Sequence, residues 1–124
     1  LRGEPISIFG DGEQSRDFVY AGDVAEAWLL ALDRAPAGAS VLNLGTGTRT
    51  SIEELWRAAV LACGQDPDRW DVRRFEARPG DQRHMQADIS AAARTLGWRP
   101  RTSFEAGLGR TAAWARADEG ALGR

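Results

Sequence analysis

Arg16 is the residue best placed to do chemistry in this chain, because of what surrounds it. It stands in Gly10-Asp11-Gly12-Glu13-Gln14-Ser15-Arg16-Asp17-Phe18-Val19-Tyr20, a glycine-rich turn that runs into an aromatic, β-branched stretch. Such a turn can set a cation and free backbone N–H groups at the rim of a cleft, where a diphosphate could sit. A guanidinium suits that task because it offers a planar fork of donors and never deprotonates. The residues alone also allow a plainer reading, since an arginine after a glycine turn is commonly solvated or salt-bridged.

Two other places invite attention. The segment Ala77-Arg78-Pro79-Gly80-Asp81-Gln82-Arg83-His84-Met85-Gln86-Ala87-Asp88 is polar and irregular, and on its own reads as an exposed loop. His84, the one histidine, reads as a surface or helix-approach residue, with nothing to pair it with a nucleophile or a metal. No metal site and no catalytic residue is therefore expected here. Gly45-Thr46-Gly47 follows a strand signal and precedes a helix signal, which suggests a dinucleotide-binding turn. The third glycine of that fingerprint is absent, because Thr50 occupies its place, and no acidic residue ends a following strand in register. The expectation is a tight strand-to-helix turn.

Composition narrows the possibilities. All 16 basic residues are arginine, so this chain alone cannot complete a Schiff-base lysine, a P-loop or a Tyr-Lys hydride-transfer pair. The net charge of −2 argues against a nucleic-acid partner. No apolar run approaches the roughly 20 residues of a membrane span, and no signal-peptide pattern opens the sequence. The single Cys63 cannot form an internal disulfide, which agrees with an expected cytoplasmic location.

The elements that must hold these groups alternate between strand and helix. Residues 5–9 read as a strand with Ile6 and Ile8 on one face, and residues 18–20 as a second extended piece. Asp23, with Glu26 completing a capping box, is expected to cap a helix to Arg34. Ala25, Trp28, Leu29 and Leu32 would bury one face of it. Residues 41–44 read as a compact strand. Thr50 with Glu53, or Ser51 with Glu54, opens a helix carrying Ile52, Leu55, Trp56, Ala59 and Val60 inward, with Gly64 as its stop. Residues 71–75 read as a strand and residues 89–96 as a helix ending at Gly97. Thr102 with Glu105 is expected to cap a last helix carrying Phe104, Leu108, Ala112 and Ala115. With 124 residues and no long linker, one small domain is expected, covering residues 1–124.

Several separate segments resemble the NAD-dependent epimerase/dehydratase family, the extended short-chain dehydrogenase/reductases. The Arg16 segment is similar to the family's G-D-G-x-Q-x-R-D-F-V-Y-V-x-D-V-A signature. The loop at 77–88 resembles R-P-G-D-x-R-H-x-x-A-D, and Leu96-Gly97-Trp98-Arg99-Pro100 with Thr102-Ser103-Phe104-Glu105 resembles the closing L-G-W-x-P-x-T-S-F-E. The resemblance implies an α/β fold, the C-terminal, sugar-nucleotide-binding part of such an enzyme. It assigns Arg16 and Arg78 to the diphosphate of a bound nucleotide sugar and Asp81 to the nucleotide ribose. Phe9 and Ile52 would line the base, and Asp17 would orient the loop or Arg16. On residue type alone, Phe9 and Ile52 read equally as core.

The family's NAD-binding G-x-x-G-x-x-G turn and its catalytic Y-x-x-x-K pair are not in this sequence, whose only tyrosine is Tyr20, with Val24 four residues on. The chain is therefore expected to be a fragment lacking the N-terminal Rossmann core, inactive alone, with NAD held by that missing part. The whole enzyme would act on a nucleotide-diphosphate sugar. The segment from Arg83 to Ser90 looks most like UDP-sugar 4-epimerases, which work through a 4-keto intermediate. A sugar-nucleotide 4,6-dehydratase is the alternative, and a non-catalytic nucleotide-binding or interaction module is a third reading. The resemblance implies a homodimer for the full-length protein. The unpaired strand at 41–44 implies a tendency of the fragment to self-associate.

Overall fold

A computed structural model describes residues 4–118. In chain order its elements are β1 (Ile6–Phe9), β2 (Ser15–Arg16), α1 (Ala21–Arg34), β3 (Thr50–Ser51), α2 (Ile52–Ala62), β4 (Val72–Phe75), α3 (Ser90–Leu96) and α4 (Phe104–Ala117). A single 3₁₀ turn, Pro67–Arg69, precedes β4. This is the mixed α/β arrangement that the alternating signals imply.

The alternation in β1 sends Ile8 inward, where it is buried against Trp56 and Val60 of α2. β4 lies parallel to β1, with Ile6 opposite Val72 and Phe9 opposite Phe75, so Ile6 and Val72 extend the same apolar layer. Parallel pairing requires a crossover, and α2 lies on the connection between these strands. Of the two possible caps for α2, Ser51 and Glu54 form the capping box. The Ser51 hydroxyl accepts from the Glu54 amide at 3.1 Å, and the Glu54 carboxylate accepts from the Ser51 amide at 2.7 Å. Thr50 lies one residue before the cap, in β3 opposite Arg16. Of the inward set expected for α2, Trp56 and Val60 are buried and Ile52 packs against them, whereas Leu55 and Ala59 are only partly buried. Gly64, at φ +71°, ends the helical run as expected.

A second core gathers Ala27 of α1, Ala92 and Leu96 of α3, and Trp98, with Leu30 and Ala31 packed against it. Here three expectations need correction. First, α1 buries its Ala27 stripe, whereas Ala25 is exposed and Trp28, Leu29 and Leu32 are 68%, 68% and 87% exposed. The helix carries apolar residues on two faces, and the small side chains allow the close approach of α3. Second, Asp23 does not cap α1. It lies in the first turn, and its carboxylate accepts from the Arg101 amide (3.1 Å), the Thr102 amide (2.9 Å) and the Thr102 hydroxyl (2.8 Å). Third, Thr102 is thereby unavailable to α4, and Ser103 caps that helix instead, accepting from the Ala106 amide at 3.2 Å.

Two extended pieces also differ. The strand expected at residues 18–20 lies earlier, at Ser15–Arg16, where β3 offers a partner. Residues 41–44 pair with no strand among the described residues, and Val41 is 94% exposed. A strand needs a neighbouring ladder for its N–H and C=O groups, and the described residues supply none there. The α3 terminus agrees with the sequence, with Gly97 left-handed at φ +67°. Trp98 follows, 1% exposed, and its indole N–H donates to the Asp23 carbonyl at 2.9 Å.

Asp23 thus ties the start of α1 to Trp98 and to the approach of α4. Replacing it strands two backbone amides in a partly buried site. Asp23→Ala is expected to lower unfolding stability by about 3 kcal/mol, read from urea titration. A loss below about 1 kcal/mol would show that the contact is of the ordinary surface kind.

Candidate functional site

The site is built around β2, two residues long and bordered on both sides. Ser15 and Arg16 pair antiparallel with Ser51 and Thr50 of β3. On the other side the Ser15 amide donates to the Arg83 carbonyl at 2.9 Å, and the Met85 amide donates to the Ser15 carbonyl at 3.0 Å. The Ser15 hydroxyl meets His84 Nδ1 at 2.9 Å, a structural contact that the reading of His84 as a surface or helix-approach residue does not include. Ser15 is only 6% exposed, so this pair fastens the 83–85 segment to β2 and presents no nucleophile to solvent.

That fastening brings Arg16 and Asp81 together from opposite halves of the chain. Arg16 Nη1 donates to the carbonyls of Ser15 and Gln82, each at 2.8 Å, and Nη2 donates to Asp81 Oδ1 at 2.5 Å. Arg16 lines a cleft of about 530 Å³ together with Asn43, Gln82, His84 and Gln86. A second pair lies at the end of β1. The Arg78 guanidinium sits 3.9 Å from the centre of the Phe9 ring, which also stacks on Phe75 at 5.3 Å. Gln14 connects these parts, its side-chain amide donating to the Phe9 carbonyl at 2.7 Å and its carbonyl accepting from the Ile52 amide at 2.9 Å. The Ile52 side chain packs against the Ile8, Trp56 and Val60 core and is itself only partly buried.

Asp17 turns away from Arg16 to the Gly45-Thr46-Gly47 turn. Oδ1 accepts from the Thr46 amide and hydroxyl, both at 2.6 Å, and Oδ2 accepts from the amides of Gly47 (2.9 Å) and Ala87 (3.2 Å). Of the two roles expected for it, orienting the loop is the one its bonds serve. Gly45 is required at this point, because a Cβ there would stand 2.6 Å from the Ala87 Cβ and 2.7 Å from Asp17 Oδ2.

Comparison with known proteins adds independent evidence. Residues 1–111 match the family described as GDP-mannose 4,6 dehydratase. A dTDP-L-rhamnose 4-epimerase of Burkholderia thailandensis is 37% identical over 109 residues, covering 88% of this chain and 29% of that protein. The crystal structure of the UDP-glucose 4-epimerase of Thermotoga maritima with UDP-glucose superposes at a TM-score of 0.84. It is 38% identical over 95% of this chain and 37% of its own. MoeE5 in complex with UDP-glucuronic acid and NAD gives 0.85 and 36% identity, over 95% of this chain and 38% of its own.

The chain belongs to the NAD-dependent epimerase/dehydratase family. It spans about a third of the length of the relatives it matches. The folds of these epimerase/dehydratases agree with the α/β class read from the sequence.

NAD is the family's cofactor, and the Gly45-Thr46-Gly47 turn, which resembles a dinucleotide site, does not fit it. The amides of Thr46 and Gly47, the donors a pyrophosphate would need, are already given to Asp17. Among the described residues, no three His, Cys, Asp or Glu side chains gather as a metal site requires. No described helix is long and apolar enough to cross a membrane. Two features of the site escaped sequence reading. The Gln82 contact is a backbone carbonyl, which every residue type carries, and the Ser15–His84 contact joins residues 69 positions apart.

Partial burial pushes the Asp17 carboxyl pKa up, but the hydrogen bonds from Thr46, Ala87 and Gly47 outweigh it and hold it below the usual value of 3.8. A carboxyl depressed on folding stabilises the protein above its unfolded pKa, and this contribution is lost as pH falls through the folded value. Stability of the wild type should therefore decline as pH drops below 3.8, and the decline should be shallower in Asp17→Asn. At neutral pH Asp17→Ala should cost on the order of 3 kcal/mol, measured by urea unfolding.

Proposed function

We propose that this chain, residues 1–124, is the sugar-nucleotide-binding part of an NAD-dependent sugar-nucleotide epimerase, one acting on UDP-sugars at C4 through a 4-keto intermediate. The observation that carries the reading is the convergence of Arg16 and Asp81, which lie 65 positions apart and meet at 2.5 Å beside the cleft. In this reading Arg16 and Arg78 hold the diphosphate, Asp81 accepts from a ribose hydroxyl, and Phe9 and Ile52 line the base. Two guanidinium groups suit a diphosphate better than one, since each can offer a fork of donors to separate phosphate oxygens.

The work of this part is binding and orientation. A nucleotide gripped far from the reacting carbon restricts the sugar to one position, which lowers the entropic cost of the chemical step. Hydride transfer belongs to NAD, held by residues outside this chain, and the proton chemistry to a tyrosine–lysine pair also outside it. By itself the chain should be inactive. The 4,6-dehydratase reading shares this binding role and differs in what the remainder does to the 4-keto sugar. The cytoplasm is the setting this chemistry implies.

The exposed Trp28, Leu29, Leu32 and Val41 support a further part of the proposal, that this part seats against another body. In the full-length protein, a homodimer in this reading, that body is the remainder of the enzyme. In isolation the chain should self-associate through these exposed side chains. Sedimentation equilibrium should show mass rising with concentration, and Leu32→Ser combined with Val41→Ser should reduce it. A strictly monomeric wild type would contradict this.

Binding is tested by calorimetric titration of the full-length protein with UDP. Arg16→Ala should weaken UDP binding by about tenfold or more, the size of one charge-assisted contact. Arg16→Lys should restore only part of it, because an ammonium lacks the planar fork. UDP affinity unchanged within about twofold in Arg16→Ala would overturn the reading.

A further inference from the structure

We propose that Asp81 is a specificity-determining residue. Its carboxylate occupies the anion position on Arg16 and yields it to a nucleoside diphosphate in preference to a bare phosphate. The inference deepens the proposed function and rests on Arg16 being the diphosphate ligand.

The geometry separates what fixes Arg16 from what occupies it. Nη1 is held by the backbone carbonyls of Ser15 and Gln82, each at 2.8 Å, on β2 and on the segment joined to it. Those bonds set the plane of the guanidinium whether or not Asp81 is present. Nη2 faces the carboxylate, at 2.5 Å. Asp81 follows Gly80, which is left-handed at φ +80°, and its amide donates to the Arg78 carbonyl at 3.2 Å, so it closes the turn made by Pro79 and Gly80. The two side chains are 25% and 38% exposed, so their contact can be exchanged without opening either core. Arg16 is preorganised, and its anionic partner is replaceable.

The chemistry of exchange then discriminates. Inorganic phosphate or pyrophosphate arriving at Nη2 must displace Asp81 and lies beside the freed carboxylate, with like charges close together. It offers that carboxylate no hydroxyl. A nucleoside diphosphate carries ribose hydroxyls next to its phosphates, and one of them can donate to Asp81 as the diphosphate takes Arg16. Both members of the ion pair then end with a partner, whereas a bare anion leaves the freed Asp81 carboxylate facing a like charge with no donor offered to it. The internal ion pair thus acts against anions that lack an adjacent hydroxyl, and such anions would otherwise compete for a diphosphate site.

The test is calorimetric titration of the full-length protein with UDP and, separately, with inorganic pyrophosphate. Four proteins are compared: wild type, Asp81→Asn, Asp81→Ala and Asp11→Asn. Asp11 pairs with Arg83 at 2.8 Å and serves as a control for simple loss of one negative charge nearby. Both Asp81 variants should bind pyrophosphate about fivefold more tightly, the upper range of an exposed ion pair, while UDP binding stays level or weakens. Asp11→Asn should leave pyrophosphate within about twofold of wild type. Pyrophosphate binding that does not tighten in the Asp81 variants, or tightens equally in Asp11→Asn, overturns the selectivity role. Arg16→Ala in the same series separates the two levels. If it abolishes UDP binding while the Asp81 variants leave pyrophosphate unchanged, only the selectivity inference fails. If UDP binding survives Arg16→Ala, the diphosphate reading fails with it.

Discussion

The carboxylate of Asp17 is the constraint on which the candidate site depends. It receives the Thr46 and Gly47 amides from one side and the Ala87 amide from the other, so three segments distant in sequence meet on one side chain. One of them follows directly on β2 and its Arg16. Another leads through β3 into α2, and the third continues the loop that carries Arg78 and Asp81. A backbone nest of this kind is a ready place for an external anion. Here an internal carboxylate fills it, and the same bonds that remove it as an anion site fix the segments that carry Arg16 and Asp81.

The neighbouring groups follow a similar pattern of internal satisfaction. Arg16 is held by two carbonyls and a carboxylate, Arg78 lies on the Phe9 ring, and the Ser15 hydroxyl meets His84. These contacts differ in how easily they are exchanged. Asp17 and Ser15 are bonded to backbone, and Ser15 is buried, whereas Asp81 closes a turn with its side chain exposed. A ligand can replace the last without disturbing the first two. Rigidity in the scaffold and replaceability at Arg16 are therefore properties of different residues, which is what a binding site needs if it is not to unfold each time it fills.

Much of this was legible in the sequence where local chemistry decides the outcome. The β1 alternation, the α2 apolar spacing and its capping box, and the glycine stops at Gly64 and Gly97 all depend on neighbours in the chain. Reading failed where two local patterns competed and a distant contact chose between them. Asp23 looks like a cap and Thr102 looks like a cap, yet they bond to each other across the fold. On α1 the larger apolar residues suggested the buried face, but contact with Ala92 and Leu96 selected the smaller Ala27. Of the site, the sequence supplied Arg16, Arg78, Asp81 and Phe9 through resemblance. That Arg16 meets Asp81, and Arg78 meets Phe9, depends on the register of β2 and β4, which no spacing in the sequence encodes.

The most direct measurement is a crystal structure of the full-length protein with UDP-glucose bound. The diphosphate should lie within hydrogen-bond distance, about 3 Å, of the Arg16 guanidinium, with the Asp17 bonds to Thr46, Gly47 and Ala87 intact and Asp81 turned to the ribose. A diphosphate bound elsewhere, with the Arg16–Asp81 pair still closed, would contradict the assignment of this site.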